Sequence, residues 1–180
     1  MRVISGSAKG LKLLPIKGDE IRPTTDRIKE AVFSILYDKV IMANVLDLFS
    51  GTGALGIEAL SRGAARCVFI DNKRSSLDVT KKNLEKTGLL EKSEIICMDS
   101  LSYLEQTHDK FDIILIDPPY DRNFIQKCLS IIDVNDIITK KGVIVCESSR
   151  EDILKDDYNC IHIRKEYLYG GSKITVYNTR

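Results

Sequence analysis

The apolar positions of this chain change their spacing along its length, from the three-and-four rhythm of amphipathic helices to the unbroken runs of buried strands. Ile28, Ala31, Val32, Ile35 and Leu36 form a helical stripe. Pro23 ahead of it drives Arg22 towards extended backbone, and Thr24, Thr25 and Asp26 offer N-capping oxygens. From residue 45 onward, strand-like and helix-like stretches alternate: 45–49 then 54–60, 67–70 then 77–84, and 94–98 then 101–104. Three successive βα units are predicted. Residues 113–116 and 143–146 are nearly all apolar, as expected of strands covered by helices on both faces of a mainly parallel sheet.

The two ends read differently. Between residues 2 and 15, short apolar runs flank Gly6 and Gly10, which predicts a β-hairpin. Residues 158–169 and 174–177 are rich in β-formers and joined by Gly170, Gly171 and Ser172, so an antiparallel hairpin is expected to close the sheet. With no repeats, low-complexity tracts or linkers, the pattern predicts one α/β unit over residues 26–180 and an N-terminal hairpin extension over residues 1–25.

A chain of 180 residues that is 43% apolar can bury one substantial core. Its net charge of +1 excludes a strong overall field for non-specific nucleic-acid binding. The distribution alters that picture: Arg2, Lys9, Lys12 and Lys17 are joined by no acid, so the first residues form a basic arm and the remainder carries about −3. On this feature alone, a solvated hairpin and a phosphate-contacting arm weigh equally. Cys67, Cys97, Cys128, Cys146 and Cys160 show no CxxC spacing and read as reduced core residues, which argues against a metal site or disulfide framework. No apolar run is long enough to span a bilayer and no signal peptide is evident, so a soluble, unprocessed, cytoplasmic monomer is expected.

The candidate chemistry begins at Gly51, Gly53 and Gly56, a GxGxxG pattern between a predicted strand and a predicted helix. Asp71, 20 positions after Gly51 at the tip of the next strand, suits ribose hydroxyls. These features alone fit NAD as well as S-adenosylmethionine. Asp47, inside the strand before the loop, would repel a pyrophosphate, and Asp99, after the third strand, can accept from an adenine amine. An adenosyl cofactor without phosphates is therefore favoured, with Phe49, Asn72 and Ser100 completing its expected contacts. The competing reading is that Asp71 and Asp99 merely cap the helices that follow.

Asp117-Pro118-Pro119-Tyr120 ends the fourth predicted strand, at the edge where doubly wound sheets bind ligands. The prolines stiffen the segment, and the Asp117 carboxylate with the Pro118 carbonyl can hold the two hydrogens of an exocyclic amine while its lone pair faces a methyl donor. Tyr120 offers a face on which a base can stack. Asp117, Pro118 and Tyr120 are thus the catalytic candidates. An ordinary strand-ending turn is the plain alternative.

At this point the chain resembles the Rossmann-like class I methyltransferases through Asp47-Leu-Phe-Ser-Gly-Thr-Gly53, and their amino-methylating subset through Asp117-Pro-Pro-Tyr120. Arg2-Val-Ile-Ser-Gly6, Arg22-Pro-Thr-Thr-Asp-Arg27, residues 51–63 and Tyr169-Gly170 are similar to the RsmD family. That resemblance implies a seven-stranded sheet, S-adenosylmethionine as methyl donor, and the N2 amine of one 16S ribosomal RNA guanine as acceptor in an assembled or assembling small subunit. It also implies that Arg2, Lys9, Lys12, Lys17, Arg22 and Arg27 hold RNA. One departure is Asp71, where many relatives place glutamate; the shorter carboxylate shifts how the ribose is held. The competing functions are an adenine-N6 DNA methyltransferase, for which a recognition module is lacking, and an RNA-binding assembly factor without catalysis.

Overall fold

In the computed structural model, which describes residues 1–16, 26–119 and 122–180, the elements follow the predicted order. They are α1 (Asp26–Leu36), β1 (Asn44–Asp47), α2 (Ala54–Ser61), β2 (Arg66–Asp71), α3 (Arg74–Thr87), β3 (Ser93–Cys97), α4 (Ser100–Gln106), β4 (Phe111–Ile116), α5 (Arg122–Val134), β5 (Ile138–Ser149), β6 (Ile161–Tyr169) and β7 (Ser172–Thr179). They build one seven-stranded sheet in the order β3-β2-β1-β4-β5-β7-β6. The first five strands in that order are parallel, and β7 returns antiparallel between β5 and β6. The mainly parallel Rossmann-like sheet with a terminal antiparallel hairpin is therefore present.

The sheet separates two apolar layers. Alternate strand residues, Val45, Phe69, Ile113, Leu115, Val143 and Val145, pack with α1, α2 and α3 on one face. Their neighbours Leu46, Val68, Ile70, Ile114, Ile116 and Cys146 pack with α4 and α5 on the other. This is the period-two consequence of covering a parallel sheet on both sides.

The structure differs from the sequence reading at three places. Helix α5 is absent from that reading, although Ile125, Cys128, Leu129 and Ile132 are buried at helical spacing along it. Strand β5 runs well past the apolar residues 143–146, because its polar end is paired with β7 out to Ser149. Cys97 and Cys160 are exposed rather than in the core; Cys97 ends the edge strand β3 and Cys160 precedes β6, whereas Cys67, Cys128 and Cys146 are buried. Among the described residues no helix is long and apolar enough to cross a membrane.

The predicted N-terminal hairpin is short: Arg2 and Lys12 form an antiparallel bridge, Val3 donates to the Leu11 carbonyl at 2.9 Å and Leu13 to the Met1 carbonyl at 3.1 Å, and the segment is also bonded to α2. Glu58 of α2 accepts the amides of Ile4 and Ser5 at 2.8 and 3.0 Å. Ser61 accepts from Ala8 at 3.0 Å through its hydroxyl and from Ser7 at 2.8 Å through its carbonyl. Gly6 is required there, since a Cβ would lie 1.7 Å from the Ser61 carbonyl oxygen. Val3, Ala8 and Leu13 join the apolar layer below.

Glu58 is held by two cations. Arg62 contacts it at 2.8 Å, and Lys29 of α1, wholly buried, lies 3.5 Å away while also donating to the Arg2 carbonyl. Burial pushes the Lys29 ammonium below its ordinary value, and Glu58 and Asp26 oppose that shift. Removing one member of such a buried pair leaves the other uncompensated. Glu58→Ala should therefore lower the unfolding free energy by roughly 3 to 5 kcal/mol, measured by urea denaturation, and should accelerate hydrogen exchange at Ile4 and Ser5. Unchanged exchange at those amides would contradict the clamp.

Candidate active site

The strand order reverses between β1 and β4, the position at which sheets of this class open a crevice beyond the carboxyl ends of their strands. Acids occupy those ends on neighbouring strands: Asp71 on β2, Asp47 on β1 and Asp117 immediately after β4. Asp47 is buried and accepts the Gly56 amide at 2.9 Å. Burial pushes its carboxyl up to about 7; the Gly56 amide opposes this, while the nearby Asp117 and Asp71 carboxyls add to it. These three acids thus lie close enough to act on one another, whereas the sequence reading grouped Asp47 and Asp71 with Asp99.

Gly51 and Gly53 adopt positive φ values of 53° and 78°, turning the chain from β1 into α2. The Gly51 amide donates to Asp71 at 2.9 Å, and the other Asp71 oxygen accepts from the Lys73 amide at 2.8 Å. A Cβ on Gly51 would meet nothing within 4 Å, so the loop is open on that side. Gly56 instead provides close packing: a Cβ there would sit 2.3 Å from the Phe69 ring.

The remaining cofactor candidates divide. Phe49 is half-buried, edge-on to Phe124 of α5 with ring centroids 6.2 Å apart. Asn72 is exposed beside Asp71. Asp99 is the N-cap of α4 and accepts from the Ser102 amide and hydroxyl at 3.0 and 3.1 Å, so the capping alternative is realised there. A carboxylate retains further acceptor capacity after such bonds. Ser100 is buried and donates to the Leu48 carbonyl at 2.6 Å, tying α4 to the end of β1.

Asp117 and Pro118 are half-buried and Pro119 is exposed; Tyr120 lies outside the described residues. Arg2, Lys9, Lys12 and Arg27 are exposed, with Arg2 3.8 Å from Asp26. Lys17 and Arg22 lie outside the described residues.

Two residues of α3 absent from the sequence reading support the glycine loop. Thr80 donates to the Gly51 carbonyl at 2.8 Å, and Asn83 donates to the Thr52 carbonyl at 2.9 Å. Asn83 also accepts from the Leu14 amide at 2.7 Å, joining the loop to the N-terminal segment. Both side chains are fully buried, and the available signal was two polar residues interrupting the apolar stripe of Leu77 and Leu84.

Comparison with known proteins gives a single direction. A family model described as conserved hypothetical protein 95 matches residues 1–178. "Putative rRNA methyltransferase YlbH" of Bacillus subtilis is 34% identical, over 100% of both chains. "Ribosomal RNA small subunit methyltransferase D" of Haemophilus influenzae is 32% identical, over 84% of this chain and 80% of its own length. Among solved structures, "Putative methyltransferase yhhF" of Escherichia coli superimposes with a TM-score of 0.90 at 30% identity, covering 100% of this chain and 98% of that one.

The raised Asp47 has a stability consequence. A carboxyl that titrates near 7 in the folded chain and near 3.8 otherwise stabilises the fold fully below 3.8, and that contribution is lost as pH rises through 7. Asp47→Asn should therefore unfold at higher denaturant than the native chain at pH 8, by up to about 4 kcal/mol, with the gap closing towards pH 4. A gap independent of pH would contradict the burial argument.

Proposed function

The chain belongs to the RsmD family, matched over residues 1–178, and on that premise we propose that it is a ribosomal RNA methyltransferase acting on the N2 amine of one guanine in 16S RNA of the small subunit. The observation that carries this reading is the convergence of Asp117 on Asp47 beside the open glycine loop at the switch point. The proposed methyl donor is S-adenosylmethionine. Its sulfonium and amine are cationic, and a crevice edged by Asp47, Asp71 and Asp117 attracts them while repelling a pyrophosphate. The α2 end and the glycine loop supply close backbone approach, Asp71 faces the ribose, and Asp99 with its remaining acceptor capacity faces the adenine. Phe49, Asn72 and Ser100 complete the proposed cofactor contacts.

S-adenosylmethionine supplies an electrophilic methyl group on sulfur. The chain's part is orientation and electrostatics. The Asp117 carboxylate and the Pro118 carbonyl accept the two amine hydrogens, aim the nitrogen lone pair along the transfer line, and stabilise the positive charge that grows on nitrogen. Tyr120 is proposed to stack against the base. The exposed Arg2, Lys9, Lys12 and Arg27, with Lys17 and Arg22 from the same stretch of sequence, are proposed to contact RNA phosphates. The enzyme is proposed to act as a cytoplasmic monomer on assembled or assembling subunits.

The test is methyl transfer from labelled S-adenosylmethionine to small subunits lacking the modification, to naked 16S RNA and to duplex DNA. Label is expected in the RNA of the subunits, and Asp117→Ala should lower kcat by roughly a hundredfold or more while cofactor affinity persists. Label confined to DNA, or undiminished turnover by Asp117→Ala, would overturn the proposal.

A further inference from the structure

A fourth acid stands in the row that the crevice edge presents. Strands β4 and β5 are parallel with Ile116 opposite Cys146, and both of those side chains pack into the layer beneath α4 and α5. Side chains alternate along a strand, so Asp117 and Glu147, the next residues on each strand, face the opposite layer. That is the layer to which Asp47 belongs, since Leu46 packs with the same α4 and α5 side as Ile116. Adjacent strands are about 4.8 Å apart, which places the origins of the two side chains about one base edge from each other.

Glu147 is half-buried and its direction is set from the far side. Strand β7 pairs antiparallel with β5, with Glu147 opposite Ile174, and the Ser172 hydroxyl donates to Glu147 Oε1 at 3.0 Å. Ser172 itself is buried at the start of β7, directly after the Gly170-Gly171 turn. One carboxylate oxygen is thus anchored from β7, and the group is kept from sweeping through solvent.

The Watson–Crick edge of guanine presents the N2 amine and the N1–H as adjacent donors. Adenine presents an amine beside a bare N1 lone pair. Two carboxylates side by side match the first pattern and confront the second with a charge against a lone pair. We propose that Glu147 accepts the N1–H of the target guanine while Asp117 holds the N2 amine, so that Glu147 is the residue that selects guanine over adenine. This rests on the guanine-N2 reading above.

The experiment uses the full chain and small subunits reconstituted with 16S RNA carrying either guanine or 2-aminopurine at the target nucleotide. 2-Aminopurine keeps the amine but lacks the N1–H. The native chain should methylate the guanine substrate with a kcat/KM roughly 10- to 100-fold above that for 2-aminopurine. Glu147→Gln, whose carboxamide can donate to a bare N1, should slow guanine methylation and shrink that ratio about tenfold. Ser172→Ala keeps the carboxylate but removes its anchor, and should shrink the ratio by a smaller factor; it carries the test if Glu147→Gln fails to fold. Ratios unchanged in the folded variants, with N2-methylguanosine as product, would overturn the role of Glu147 alone. A guanine product other than N2-methylguanosine would overturn the parent reading and this role together.

Discussion

Parallel pairing of β2, β1, β4 and β5 determines where the acids emerge, and the rest of the site is arranged around that register. Asp47 lies level with Phe69 and Leu115, so Asp71 and Asp117, two residues further on, stand one pleat above it on the same face. A slip of one residue in any of these pairings would turn an acid into the opposite apolar layer. The two-sided core enforces the register, because the same slip would also expose a row of valine, leucine and isoleucine. The cost of gathering carboxyls in this way is visible at Asp47, whose burial and acidic neighbours raise it to about 7. A cationic ligand beside it relieves that cost, which is why the site reads as one for a sulfonium donor.

The glycine loop and the N-terminal segment are tied to this edge by polar residues within the helical layer. Asn83 bonds both Leu14 and Thr52, and Glu58 with Ser61 holds residues 4–8. The described part of the N-terminal segment is thereby packed on α2 and α3. Leu14 of that segment is joined to the glycine loop through the Asn83 side chain.

Much of this was legible beforehand because it is local. The alternation of strand and helix periods located β1 to β4 and α2 to α4 to within a few residues, and the strand-end acids and glycines carried their own chemical signal. What was missed depends on distant partners. Helix α5 follows two prolines and has no strong entry signal, so its buried stripe went unassigned. The burial of Lys29 depends on Glu58, a partner far away in sequence. The strand position of Glu147 next to that of Asp117 follows from the pairing of β5 with β4, which joins segments distant in sequence. For Asp99, the sequence could not separate a cap from a ligand contact, and the structure realises the cap.

On the proposed reading, the row of strand-end carboxyls selects an exocyclic amine as methyl acceptor. The most direct measurement is complete nuclease digestion of small-subunit RNA methylated by the protein, followed by mass spectrometry of the nucleosides. N2-methylguanosine is expected as the one new nucleoside. A methyl group on a ring nitrogen, a ring carbon or a ribose oxygen would contradict it.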